Sequence, residues 1–269
     1  MSAFLFAVTT VVATTLARTS GADNKSNDSD RSVEGTIRYD DSDRSVEGSI
    51  RYDLSVAHKA CNYFGMDELV WNHISARHGS GWLITPGRRM WDAIEPSDIV
   101  SASDNCTADI IHSAVYKVRP DVKAIIHLHT KYAAAVCCIE GGFIPLTQDG
   151  SFFFNKVATH EWEGVSDDPG EGERIGKAVL SIPDCNILLM PNHGFCTFAT
   201  SVKEAFIQAF YFEKACETQQ NSTGKKLLVP PAEIMKKSER QNYSDVFRPG
   251  ECEWDAVCDL IERKYGVGR

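Results

Sequence analysis

The segment AIIHLHT, residues 124–130, places two imidazoles one residue apart, directly after an apolar run that reads as a buried strand. In a strand, residues i and i+2 share a side. His127 and His129 can therefore face one point in space, with Leu128 buried on the opposite face. Imidazole nitrogens suit Zn²⁺ and related divalent transition metals. Two histidines make half a site, and the pair alone could equally be two unrelated imidazoles at a strand end. A third ligand is offered by His193, at the sharp end of the apolar strand NILLMP (186–191). Gly194 is expected to let the backbone turn tightly there. Ligand sites in layered α/β domains gather at strand ends, where both histidine groups would lie. His58, His73, His78, His112 and His160 are the remaining candidates. His112 reads as mid-helix and packed or half-exposed, His78 as a solvated turn residue, and His160 as a loop histidine that could line the site.

The elements that must position these residues follow from periodicity. Residues 54–65 have helical spacing and stop at Gly65. ELVWNHISAR (68–77) and GWLITPG (81–87) look like two strands joined at His78–Gly81, and SDIVSA (97–102) like a short one. TADIIHSAVYKVRP (107–120) predicts a helix with Thr107 as N-cap and Pro120 beyond its end. VKAIIHLH is a strand, and TKYAAAVCCIE a helix ending at Gly141-Gly142. A loop to about residue 168 precedes a helix over 172–181, the strand NILLMP, the segment FCTFAT and a long helix over 202–219. Interleaved strands and helices predict an α/β layered domain.

Before that domain, DSDRSVEGTIRYD (28–40) is followed at once by DSDRSVEGSIRYD (41–53), differing only at Thr36 and Ser49. Solenoid repeats need about three or more copies to bury a core, which two polar 13-mers cannot do. The first copy reads as linker and the second as the entrance to the fold. The expected organisation is an N-terminal targeting-like or disordered segment over 1–48, a domain over 49–228, and a loosely packed extension over 229–269 with one helix near 252–264.

Composition narrows the functions. Of 269 residues 43% are hydrophobic, enough for a sizeable core. A net charge of -9 argues against broad capture of nucleic acid or anionic membrane. The nine cysteines are odd in number and contain no C-x-x-C, which favours reduced core thiols over a disulfide scaffold or a thiolate zinc site. Glycosylation sequons, among them those at Asn27, Asn105, Asn221 and Asn242, are short enough to arise by chance. No interior run approaches the roughly 18–20 apolar residues of a membrane span. FLFAVTTVVATTLA (4–17) resembles a signal-peptide core without its basic n-region, so a signal or organellar transit segment and a disordered tail both stay open.

Taken in order, NHISAR…WLITPG, AIIHLHT, NHG and the helix VKEAFIQAFYFEKACE resemble the class II aldolase/adducin head domain over roughly residues 50–220. The resemblance implies a three-layer αβα fold that assembles as a homo-oligomer, commonly a tetramer. It also implies a catalytic zinc ion on His127, His129 and His193. In the aldolases the ion acts as a Lewis acid on a ketose phosphate, and a glutamate four positions before a helical histidine matching His112 shuttles the proton. Here that position holds Ala108. Asp109 is adjacent, but one helical step rotates a side chain by about 100° and aspartate is a carbon shorter, so it is a weak stand-in. The substrate loops are altered as well. Asn72-His73 stands where aldolases have Gly-Asn, Gly87-Arg88 where they have Thr-Gly, and Thr107 keeps one hydroxyl of a Ser-Ser pair whose other member matches Cys106. With Thr85 these residues form the implied substrate-binding set. The aldolase tyrosine after Ile144-Pro145 falls near Asp149.

NHISAR and ADIIHSAVYKVRPDVKAIIHLHT are closer to the adducin side. There the head domain belongs to an actin-associated cytoskeletal protein, although GVGR has no counterpart of the lysine-rich adducin tail. The expectation is an adducin-like assembly head in the cytoplasm or cytoskeleton, binding itself and actin filaments, without ordinary aldolase activity. The alternative is a metal-dependent lyase, epimerase or dehydratase acting on a small phosphorylated sugar.

Overall fold

Short apolar runs separated by amphipathic helices organise the computed structural model, which describes residues 46–102, 104–168 and 170–267. The expectations for the targeting-like segment and the first repeat copy lie outside those residues. In chain order the elements are α1 (Val46–Tyr63), β1 (His73–His78), β2 (Gly81–Ile84), α2 (Cys106–Val118), β3 (Ala124–Leu128), α3 (Lys131–Cys137), β4 (Val157–Thr159), α4 (Glu171–Leu180), β5 (Ile187–Met190), β6 (Gly194–Ala199), α5 (Val202–Ser222), α6 (Ala232–Asn242) and α7 (Trp254–Tyr265).

The six strands form one sheet in the order β2-β1-β3-β6-β5-β4. All pairs are antiparallel except β4 with β5. β3 is buried along its whole length, as a central strand covered on both faces must be. Its alternation divides the core. Ala124, Ile126 and Leu128 pack with α1, α3, α5 and α7 on one face. Ile125 packs with α2 and α4 on the other. The result is the expected αβα sandwich, with Leu128 turned away from the side that His127 shares with α2.

Several local expectations are corrected. Strand β1 starts only at His73; Glu68–Trp71 form a turn, with Leu69 at a φ of 48°. SDIVSA contributes a single bridge, Val100 with Ile84. β4 lies inside the segment read as loop. It was illegible because it is three residues long. The N-cap of α2 is Asn105, whose Oδ1 accepts from Thr107 N at 3.0 Å and from Thr107 Oγ1 at 2.7 Å. α1 begins at Val46, inside the second repeat copy. Its polar first turns are held by Arg51 Nε donating to Glu47 at 2.7 Å and by Tyr52 Oη donating to Glu262 at 2.8 Å.

That second bond also corrects the view of the C-terminal extension. It contains two helices, and Trp254, Cys258 and Ile261 of α7 are buried in the main core.

A long-range cap fixes the turn after the His127/His129 strand. Glu213 on α5 accepts from Thr130 Oγ1 at 2.5 Å, from Tyr132 N at 3.0 Å and from Ala133 N at 2.9 Å. It thereby satisfies the otherwise orphaned N–H groups at the start of α3.

Candidate metal centre

His127 and His129 leave the end of β3 on the α2 side of the sheet, and His193 stands in the β5–β6 turn beside them. The ring centroids are 4.7 Å apart for His127–His129, 4.9 Å for His127–His193 and 4.8 Å for His129–His193. One nitrogen from each ring lies within 4.8 Å of the others. The strand-end convergence expected from the sequence is present.

Tight contact explains the glycine of NHG. Gly194 does not have a positive φ; Asn192 does, at 57°. A Cβ on Gly194 would lie 2.5 Å from the carbonyl oxygen of Leu128 and 2.7 Å from His129 Cδ2. Gly194 is needed because the β3 backbone and a site histidine pass against it. Gly194→Ala is expected to destabilise the fold by about 1–3 kcal/mol, the usual range for overpacking. It should also displace the His129 ring, visible as changed histidine NMR resonances. An unchanged melting temperature and unchanged His129 signals would refute this account.

The outer ring nitrogens define the inner ones. His127 Nδ1 is 3.1 Å from the Phe195 carbonyl oxygen, and His129 Nδ1 is 2.6 Å from Glu68 Oε2. Both partners only accept, so both Nδ1 atoms carry the proton and donate. The Cys196 thiol is 3.3 Å from the same His127 nitrogen, but the carbonyl is the stronger partner. The two Nε2 atoms, 2.8 Å apart, then face each other with lone pairs. Such a pair calls for a cation between them: a second proton on one ring, or a metal ion. Orientation of a metal-ligating histidine through its other nitrogen is the usual outer-shell device, and here a carbonyl and a carboxylate are placed to do it. The donor set fits zinc. Burial, with the neighbouring imidazoles, holds His127 well below the ordinary imidazole range, and burial lowers His193 to about 4 with His129 adding to the effect. Neutral imidazole is the form a metal needs.

These side chains open on a cleft of about 440 Å³, also lined by His73, Thr107, Trp71, Trp162 and Gly164 to Ser166. A larger hollow of about 620 Å³ beside Cys137 and Val157 contains no imidazole, so the smaller cleft is the chemical candidate. Of the residues implied as substrate-binding, His73 and Thr107 reach the cleft. Asn72 supports it from behind, accepting from His129 N at 3.0 Å. Thr85 is turned inward, where its hydroxyl serves His58 and the Ile74 backbone at 2.8 and 2.6 Å. Gly87 abuts Asp104, and Arg88 is exposed with a φ of 63°; neither lines the cleft. Asp109 is also absent from the lining, and partial burial raises its carboxyl pKa.

His160 is buried against Glu171 at 3.3 Å, outside the lining. His78, at the end of β1, is part-exposed and lies 3.8 Å from Glu47. His112 is fully buried and His58 likewise. Glu68 and the two tryptophans were missed in the sequence because nothing in their spacing marks a turn residue as a site residue.

A six-stranded sheet between helical layers, with three imidazoles converging at its strand ends, defines the class II aldolase type of fold. The chain belongs to the class II aldolase and adducin N-terminal domain family, whose model matches residues 53–220. A Pseudomonas aeruginosa protein provisionally named an aldolase class 2 protein is 29% identical over 78% of this chain and 88% of its own length. Alpha-adducin of Rattus norvegicus is 30% identical over 62% of this chain, yet the match spans only 24% of that protein. Among solved structures, an aldolase II superfamily protein from Pseudomonas syringae is 27% identical with a TM-score of 0.76, covering 84% of this chain and 97% of its own. An L-fuculose 1-phosphate aldolase from Glaciozyma antarctica shares the fold, with a TM-score of 0.71 at 20% identity over 83% and 93% of the two chains. No helix among the described residues is long and apolar enough to cross a membrane.

Proposed function

We infer that His127, His129 and His193 hold a divalent transition metal, zinc by preference of the donor set, and that the cleft binds a small oxygen-rich ligand of the sugar-phosphate class. The observation that carries this reading is the pair of inward Nε2 lone pairs fixed by Phe195 O and Glu68. An ion bound there supplies Lewis-acid polarisation of a carbonyl and its neighbouring hydroxyl. Thr107 and His73, which line the cleft, supply a hydroxyl and an imidazole for contacts with the ligand.

Ordinary aldol cleavage also needs a carboxylate to move the carbon-bound proton. Ala108 cannot do so, and Glu68, the only carboxylate lining the cleft among the described residues, is engaged by His129 Nδ1. The reading is therefore a metal-dependent ligand site whose chemistry is epimerisation, dehydration or binding, rather than ordinary aldolase turnover. The metal-loaded protein should be screened against a panel of small sugar phosphates by NMR. Binding or conversion of at least one member, lost in His193→Ala, is expected. Full metal occupancy with no ligand found would sink the sugar-phosphate reading.

A second reading is favoured by Ala108 itself. Without a proton-shuttling carboxylate, the domain can serve as an adducin-like homo-oligomeric head, possessing the fold for assembly and for association with actin filaments in the cytoplasm or cytoskeleton. Actin co-sedimentation tests it directly.

A further inference from the structure

Behind the cleft a line of polar groups runs through the core on the α2 side. Tyr116 Oη lies 2.9 Å from Ser75 Oγ. Ser75 Oγ lies 2.5 Å from His112 Nδ1, and His112 Nε2 lies 2.6 Å from His73 Nδ1. His73 in turn stacks on His127 at 4.7 Å and lines the cleft. Its Nε2 has no protein partner among the described residues.

We propose that this line is a one-way hydrogen-bond chain, Tyr116 to Ser75 to His112 to His73, which fixes His73 as an Nε2–H donor facing the cleft and selects a ligand that places an anionic oxygen there. The number of protons on the four side chains sets the direction. His73 and His112 are 3% and 0% exposed and neither hydrogen-bonds a carboxylate, so each ring carries one proton. In the forward direction the Tyr116 hydroxyl donates to Ser75, Ser75 donates to His112 Nδ1, and His112 Nε2–H donates to His73 Nδ1. Every buried proton then has an acceptor, and the remaining His73 proton is on Nε2. In the reverse direction His73 Nδ1–H donates to His112, and His112 Nδ1–H donates to Ser75. One of the two hydroxyl protons, on Ser75 or Tyr116, is then left without an acceptor. A buried donor left unpaired biases the two directions by about tenfold or more.

An N–H donor with a fixed direction recognises an acceptor and excludes a ligand group that can only donate. The part of the cleft that His73 lines therefore reads as the place for a phosphoryl, carboxylate or enolate oxygen. This assignment deepens the ligand reading of the same cleft and rests on it for the existence of a ligand, but not for the direction of the chain.

The test uses the full chain labelled with ¹⁵N-histidine, in which nitrogen shifts distinguish the two tautomers. Both His73 and His112 are expected as Nε2–H forms, and His193→Ala should not change this even if it removes the metal. Tyr116→Phe should keep the preference, because Ser75 can still donate to His112. Ser75→Ala should reduce it from about tenfold to near parity. Adding inorganic phosphate should move the His73 Nε2 proton. A wild-type His73 protonated on Nδ1, or a preference that survives Ser75→Ala, would overturn the chain. A His73 proton unmoved at every phosphate concentration the protein tolerates would overturn the anionic-oxygen assignment. A wild-type protein that binds no divalent metal but shows the expected tautomers would count against the metal reading alone.

Discussion

Purified protein is expected to carry about one divalent ion per chain, and His127→Ala or His193→Ala to lose it. Removing one of three protein ligands leaves the site unable to close around an ion, so the effect on occupancy should be close to complete. Acidification supplies a second axis. His193 is neutral down to about pH 4, and burial likewise holds His127 well below the ordinary imidazole range, because it disfavours the charged forms. A histidine with a depressed folded pKa takes up its proton late, so protonation of His127 and His193 should not displace the ion as pH falls through the ordinary imidazole range near 6.5. Binding should weaken as pH approaches about 4, where His193 becomes charged. Metal analysis by mass spectrometry, across pH and across the two variants, checks both. Equal metal content in wild type and the double variant would remove the triad from consideration.

Introducing a carboxylate at position 108 should change the chemistry by a comparable margin. General-base catalysis is worth about 10²–10⁴-fold in rate, so Ala108→Glu is expected to raise metal-dependent cleavage of at least one phosphorylated ketose above a near-background wild type. Glutamate is a good helix former, and position 108 lies in the first turn of α2, directly after Thr107 on the cleft wall. Ala108 is 0% exposed, so the longer side chain must push into packed surroundings, and a lower melting temperature should accompany the gain. Robust cleavage by the wild type would overturn the reading of Ala108 and require another base. Silence in both proteins would locate the obstacle in the altered loops at Asn72-His73 and Gly87-Arg88, and the adducin-like reading would move ahead.

How much of this was legible beforehand depended on the kind of signal. The period-two rule was enough to put His127 and His129 on one side and Leu128 on the other, because a strand leaves a side chain only two faces. His193 was legible through its place after an apolar run. The residues that complete the site were not. Glu68 lies in a turn, and it reaches His129 only because β1 and β3 pair with His73 opposite His127. Register is set by tertiary packing, which no local pattern records. The same holds for His112, legible as a helical histidine but not as the partner of His73. Gly194 was singled out for the wrong physical reason: a turn was expected, and a close approach of two strands was found. The start of α1 was missed because its first turns are polar and are secured by Glu262 in α7, more than two hundred residues away.

The carboxylate of Glu213 bears on the order in which the molecule forms. α3 has only seven residues, too few to persist alone in water. Its first amides find their acceptor on α5, 80 or more residues later in the chain. A chain made from its N-terminus therefore exposes the His127/His129 strand end well before the group that fastens the turn after it. Non-local closure of this kind is slow compared with helix formation, and domains tend to complete such contacts only when the last element docks. On this view the pair of imidazoles does not wait as a finished trap for metal during synthesis. Its geometry is completed when α5 docks, so capture of an ion belongs to the end of folding rather than to its beginning.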